Sequence, residues 1–236
     1  MVTKDVIILA GGLGTRLQSV LTDIPKCMAP IGGLPFLTYV FDYLINQNIS
    51  KVIVSVGYRK YHIINYFGDS YKSLIIEYSI ETEPLGTGGA LKLASSHCNQ
   101  NQVFVMNGDT YFVPDLQSME ILHFQTNADV TIAVKQMLET KRYGIVQTDM
   151  EDRILEFREK DPGSGPGLIN GGIYLINREL FDNFTEQKFS LEQDVFKKSS
   201  LSLKMQASIT DAFFLDMGIP EDYTRAQEIL PKIITI

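Results

Sequence analysis

Apolar residues fall in two textures along the chain. In the first half they come as short runs: Val6–Leu9 (VIIL), Lys51–Val56 (KVIVSV), Leu74–Ile80 (LIIEYSI) and Val103–Met106 (VFVM). Runs of this length and β-branched content predict strands buried on both faces. Between them, Leu34–Asn46 (LPFLTYVFDYLIN) repeats its apolar residues at helical spacing, with Pro35 suited to a first helical turn. Lys60–Phe67 and Gly88–Ser96 predict shorter helices. Strands alternating with helices predict βαβ units: an α/β, Rossmann-like, mainly parallel mixed sheet covered by helices on both faces. After about Asp129 the texture changes. Val130–Lys135, Gly144–Thr148 and Ile154–Arg158 read as strands with little room for helices between them. Asp161–Gly167 (DPGSGPG) is a loop by composition, Ile169–Ile176 a strand and Pro220–Leu230 a closing helix. No repeat or linker divides the chain. The expectation is one domain over residues 1–236, with a first half of about 1–128 and an elaborated second half of about 129–236.

Composition narrows the partners. A chain of 236 residues with 44% hydrophobic content can bury a core without staples. Its net charge is −7, and no long basic run occurs. Nucleic acid and an anionic membrane are therefore excluded as expected partners, whereas a few cations gathered in one cleft could still hold a small polyanion. The two cysteines, Cys27 and Cys98, form no CxxC or Cys/His cluster, which predicts buried thiols in a reducing compartment. The N-terminus lacks a signal-peptide pattern and no apolar stretch reaches membrane-spanning length, so a cytoplasmic protein is expected. His62, His97 and His123 stand apart from one another and predict structural roles.

The candidate chemistry starts at Leu9–Pro30, LAGGLGTRLQSVLTDIPKCMAP. A dinucleotide fingerprint would need a glycine where Leu17 stands, and a P-loop would need a lysine directly after the glycines. What remains is a strand, a turn with Gly11, Gly12 and Gly14 that lets backbone amides face a ligand, and two cations, Arg16 and Lys26. A guanidinium fork and an ammonium point charge suit bridging phosphates.

These residues resemble the signature of the sugar-1-phosphate nucleotidyltransferases, or nucleotide-sugar pyrophosphorylases: L-A-G-G-x-G-T-R-L, a spacer, then P-K. The chain carries it as Leu9-Ala10-Gly11-Gly12-Leu13-Gly14-Thr15-Arg16-Leu17 and Pro25-Lys26. Cys27 stands where that family favours proline, and a spacer proline is missing from Gln18–Asp23. The resemblance continues through Glu81–Gly89 (ETEPLGTGG), Asn107-Gly108-Asp109, Tyr143-Gly144, Glu159-Lys160, Asn170–Tyr174 and Phe214–Pro220.

The resemblance implies that a sugar 1-phosphate attacks the α-phosphorus of a nucleoside triphosphate and pyrophosphate leaves. It assigns the triphosphate to the Leu9–Thr15 loop and Arg16, α-phosphate charge to Lys26, and the base to Glu81, Pro84, Gly86 and Thr87, with Asn107 and Gly108 alongside. Tyr143, Gly144, Glu159, Lys160, Asn170 and Gly171 would hold the sugar phosphate, Lys160 through its ammonium. Asp109 and Asp216 would bind Mg²⁺, a hard cation satisfied by one or two carboxylates plus substrate phosphates. Taken alone, either aspartate equally well caps a turn. Glu83 is the alternative to Glu81, and Glu156 to Glu159. A carboxylate at position 81 accepts both donors of guanine's Watson–Crick edge. That loop and the spacer LTDIPK are most similar to bacterial D-glycero-α-D-manno-heptose 1-phosphate guanylyltransferases, with GTP and the heptose 1-phosphate as substrates for surface polysaccharide synthesis. Mannose 1-phosphate with GTP, another nucleotide, and a non-catalytic sugar-nucleotide-binding subunit are the competing readings. An acetyltransferase-fused enzyme is not expected, and a homo-oligomer is left open.

Overall fold

A computed structural model describes residues 5–12, 24–158, 165–181, 184–199 and 202–233. The first half supplies β1 (Val6–Leu9), the ribbon β2 (Pro30–Ile31) and β3 (Leu34–Pro35), and then α1 (Phe36–Asn46). There follow β4 (Lys51–Val56), α2 (Lys60–Phe67), β5 (Ser70–Tyr71), β6 (Leu74–Ile80), α3 (Gly86–Ser95), β7 (Gln102–Asn107), β8 (Thr110–Phe112) and α4 (Leu116–Thr126). The second half adds β9 (Val130–Met137), β10 (Ile145–Thr148), β11 (Ile154–Arg158) and β12 (Gly167–Asn177). A π-helical turn, Leu191–Phe196, runs into α5 (Lys197–Ser199); β13 (Met205–Ile209), β14 (Phe214–Asp216) and α6 (Pro220–Ile233) complete it.

The centre of the sheet, β6-β4-β1-β7, is parallel throughout. β1 and the middle residues of β4 and β7 are apolar because both faces are covered, whereas β6, next to the short edge strand β5, mixes buried and exposed positions. Val6 and Ile8 point into one core layer, with Phe36, Phe67 and Leu230 from α1, α2 and α6. Ile7 points into the other, with Leu91 and Ala94 of α3 and Val195 and Phe196 of the π-turn. Successive strand residues alternate faces, so one unbroken apolar run feeds two layers.

The second half extends this sheet with mostly antiparallel neighbours. Ile173–Asn177 of β12 pair with β7, whereas Leu168 and Ile169 pair with β10 on that same edge, and β9 follows the opposite edge. The β9 register shifts between Asn170 and Tyr174. At the shift Gly172 takes φ +75°, and a Cβ there would stand 2.6 Å from Asn107 Nδ2. Only glycine accepts both constraints cheaply. The bend sends the first part of β12 away from β7, and a cleft opens where β7 ends.

The structure departs from the sequence expectations at particular ends. The helix expected from Leu34 starts at Phe36, because Leu34 and Pro35 pair with Ile31 and Pro30. Helix α3 begins earlier, at Gly86, and α6 runs on to Ile233. Several elements were not expected: the short strands β2, β3, β5 and β8, the π-turn with α5, and two longer ones, α4 and β13. In α4 the apolar pattern is thin, since only Leu116, Met119 and His123 are buried; an Asp115 cap, accepting from Gln117 N at 3.0 Å, starts it. His123 is a satisfied structural histidine, with Nδ1 2.8 Å from Thr131 Oγ1 and Nε2 3.2 Å from Asn177 Oδ1. The other is β13, which pairs in parallel with β9. Among the described residues no helix is long and apolar enough to cross a membrane.

Candidate active site

Two cavities open at the carboxyl ends of the central strands, the rim where open α/β sheets bind ligands. The larger, about 820 Å³, is lined by Leu9, Ala10, Gly11 and Gly12 after β1, Ser55, Gly57 and Tyr58 around the end of β4, and Glu81–Pro84, Gly86 and Thr87 after β6. Asn107, Gly108 and Asp109 after β7, with Lys26 and Cys27, close it. The smaller, about 280 Å³, lies in the fork of β12 and is lined by Arg142, Tyr143, Gly144, Asn170, Gly171 and Asp216 among others. Asn107, Asp109 and Glu192 line both, so the cavities adjoin there.

Lys26 stands at that junction. Pro25 precedes the 3₁₀ turn Lys26–Met28, which buries Cys27 and Met28. The Lys26 Nζ lies 2.5 Å from Asp109 Oδ2 and 3.8 Å from Asp216 Oδ1, with its side chain only 10% exposed. The aspartates, far apart in sequence, are joined by the β8–β14 pairing, which sets Asp216 opposite Thr110. Met217 N also donates to the Asp109 carbonyl at 3.2 Å. The second aspartate therefore arrives on a separate two-stranded sheet, not on a strand of the main sheet. Because one ammonium reaches both carboxylates, the two face a common point and already hold positive charge there. Two hard oxygen donors beside a phosphate-sized cavity fit a divalent cation that draws its remaining ligands from substrate and water.

Cys27 packs in the same buried layer as Met28 and Phe36. Burial first, and then the Asp109 carboxylate, push its thiol up to about 12. It is an inert filler beside Lys26 and not a nucleophile.

Glu81 occupies the floor of the larger cavity. Its Oε2 accepts from Leu85 N at 3.1 Å, closing its own loop, and Ser55 Oγ donates to Oε1 at 3.5 Å. A Cβ on Gly11 would come within 2.5 Å of that Oε1, so the glycine is what lets the carboxylate lie against the loop after β1. Glu83 is exposed on the rim. In the smaller cavity Asn170 is largely committed to the fold: Nδ2 donates to Tyr174 Oη at 2.8 Å and Oδ1 accepts from Gly172 N at 2.9 Å. Tyr143 receives a hydrogen bond from Arg142 at 3.1 Å and packs edge-on against Phe214; burial raises its phenol. Glu156 lines neither cavity and pairs with Arg158 at 2.8 Å on β11. Gly14, Thr15, Arg16, Glu159 and Lys160 lie outside the described residues.

The sequence profile of the nucleotidyl transferase family matches residues 5–232. The chain belongs to this nucleotidyl transferase family. It is 47% identical to the D-glycero-alpha-D-manno-heptose 1-phosphate guanylyltransferase of Aneurinibacillus thermoaerophilus over 231 residues, covering 98% of this chain and 100% of that protein. It is 46% identical over 221 residues to the enzyme of the same name from Campylobacter jejuni subsp. jejuni serotype O:2, covering 92% and 96%. Among solved structures, HddC from Yersinia pseudotuberculosis complexed with GMP-PN superposes with a TM-score of 0.85 at 37% identity, over 95% of this chain and 98% of that one. Nucleotidyl transferases of this family generally use a divalent metal.

Against this nucleotidyl transferase frame, sequence reading missed Glu192. Thr87 Oγ1 donates to its Oε2 at 2.9 Å and Tyr174 Oη to its Oε1 at 3.2 Å, tying the loop after β6 to β12. The signal was present in Ser190-x-x-Gln193, a capping pattern: Ser190 Oγ accepts from Gln193 N at 3.2 Å and starts the π-turn that carries Glu192. Arg142, anchored to Asp222 at 2.7 Å, was also missed. Nothing in its local sequence announces it.

Proposed function

We infer that this chain is a guanylyltransferase that joins D-glycero-α-D-manno-heptose 1-phosphate to GTP, forming GDP-heptose and releasing pyrophosphate. The observation that carries the reading is the convergence of Lys26, Asp109 and Asp216 where a nucleotide-sized cavity meets a smaller polar one. Full-length likeness to two enzymes named for this reaction supports the choice of base and sugar.

Two polyanions must meet, so the barrier is dominated by charge and alignment. GTP would lie in the larger cavity, with the amides of Gly11 and Gly12 and the Arg16 guanidinium on its phosphates and the Glu81 carboxylate on the guanine edge. The sugar would occupy the smaller cavity beside Tyr143, Gly144 and Gly171, with Lys160 on its phosphate and Glu159 on its hydroxyls. The sugar phosphate oxygen forms the new bond to the α-phosphorus. The bond from that phosphorus to the oxygen bridging to the β-phosphate breaks, and pyrophosphate takes the electron pair. Lys26 exchanges a carboxylate partner for the α-phosphate and offsets the charge growing there. Asp109 and Asp216 would hold Mg²⁺, which when bound neutralises charge on the reacting phosphates. The chain is read as a single domain, because both core layers draw on both halves. A reducing, cytoplasmic location fits its two free, buried cysteines.

A panel of GTP, ATP, UTP, dTTP and CTP against heptose 1-phosphate and mannose 1-phosphate, scored by pyrophosphate release, tests the reading. The highest kcat/KM is expected for GTP with the heptose. A preference for UTP or dTTP would overturn the role of Glu81, and a preference for mannose 1-phosphate would overturn the sugar.

A further inference from the structure

We propose that Tyr58 is a nucleotide-binding residue that stacks on the nucleobase, so that the base is held by its face as well as by its edge. The proposal rests on the guanylyltransferase reading and extends it to a residue that reading does not use.

Among the described residues lining the larger cavity, Tyr58 is the sole aromatic, and it is 52% exposed. A half-bare ring lining this largely apolar cavity lacks a flat partner, and the base is the one flat, conjugated part of the substrates. One face of the ring is already taken, since the Arg59 guanidinium sits 4.8 Å from its centroid. Its hydroxyl has no hydrogen-bond partner among the described residues.

The backbone places this ring at the base end of the cavity. Gly57, the residue before it, packs between the loop after β1 and Glu81 with room for a side chain: a Cβ there would make ordinary contacts at 3.6 Å to the Gly11 carbonyl and 3.7 Å to Glu81 Cβ. Tyr58 therefore leaves the chain beside the carboxylate that reads the base edge. The next residue, Arg59, holds φ +57° and ψ 27°, a left-handed conformation that a non-glycine residue adopts at a cost. The turn is closed by Lys60 N donating to the Gly57 carbonyl at 3.3 Å, which starts α2 directly and folds Arg59 back over the ring. Lys60 lines the same cavity.

The chain contains no tryptophan. Tyr58→Trp therefore introduces a single indole, whose emission reports on stacking. Titration with GTP is expected to quench it, while pyrophosphate and the sugar 1-phosphate, which carry no base, leave it unchanged. In turnover, Tyr58→Ala is expected to raise KM for GTP roughly tenfold, with KM for the sugar 1-phosphate, and for pyrophosphate in the reverse reaction, within twofold of wild type. Tyr58→Phe is expected to behave as wild type, since it keeps the ring. Circular dichroism of each variant checks that the fold is intact. The proposal is overturned if Tyr58→Ala leaves KM for GTP within twofold, or if the indole of an active Tyr58→Trp enzyme ignores saturating GTP. It is equally overturned if Tyr58→Phe is as impaired as Tyr58→Ala, because the hydroxyl is then the working group. Wild-type preference for a different triphosphate would sink the guanylyl reading instead, and the same variants assayed with that triphosphate would still decide the stack.

Discussion

The two cavities are built by different means. The larger is walled mainly by short stretches that leave the ends of parallel strands, Leu9–Gly12, Glu81–Pro84 and Asn107–Asp109, with Lys26, Cys27 and Glu192 added from elsewhere. The smaller lies in a fork of the sheet, and its wall takes one to three residues at a time from segments around β7, β8, β10, β11, β12, β14 and the π-turn. A loop leaving one strand can hold an entire chemical group, and its spacing survives in the sequence. A wall gathered from many elements leaves no such spacing.

Breaking the junction tests both cavities at once. Asp109→Ala and Asp216→Ala are each expected to lower metal-dependent turnover by about 10³-fold, several kcal/mol of transition-state stabilisation, with circular dichroism unchanged. Near-normal turnover in either variant removes that residue from the metal site. Lys26→Ala should lower kcat on the order of 10²-fold while raising KM for GTP far less. The reverse split in steady-state kinetics would make Lys26 a ground-state contact.

The next two variants separate the cavities. Gly11→Ala forces a Cβ against Glu81 Oε1, in a carboxylate held by Ser55 Oγ at Oε1 and by Leu85 N at Oε2. KM for GTP should rise about tenfold, with KM for the sugar phosphate unmoved. Tyr143→Phe removes the 3.1 Å acceptor of Arg142 and should raise KM for the sugar phosphate about fivefold, leaving GTP untouched. If each variant moved both constants equally, the cavities would act as one site.

The smallest effect concerns the thiols. Burial pushes both Cys27 and Cys98 up to about 12 from 9.0. A thiol reagent at pH 8 should label neither in the native protein and both after denaturation. Their contribution to stability is complete below pH 9, where both states hold the proton. It is lost as pH rises from 9 toward about 12, because the unfolded chain deprotonates first. Cys27→Ala should flatten that decline in a denaturant series.

The central strands and most of their helices were legible because their pattern is local: a run such as VIIL can be buried only with both faces covered. The glycine loop and Lys26 were legible because phosphate chemistry demands those residue types close together. Helix α4 was not, since three buried residues, one a histidine, make no visible stripe. Asp216 was singled out by its motif, but its strand's pairing with β8 was not foreseen, because that pairing is a long-range choice that no local propensity encodes. Asn170 had a motif and a sugar role in prospect, yet its polar atoms hold Gly172 and Tyr174.

The sequence by itself determined the parallel core, whose strands follow from short local apolar runs. It also put forward a glycine turn for phosphates and, through a resemblance, Glu81 for a base edge. Only the tertiary structure decided that Lys26 lies between Asp109 and Asp216, that Glu192 lines both cavities, and that Gly57, the neighbour of Tyr58, packs near Glu81. Those neighbours are separated by tens of residues of chain, and they meet only because buried strands and paired edges leave the backbone no other path.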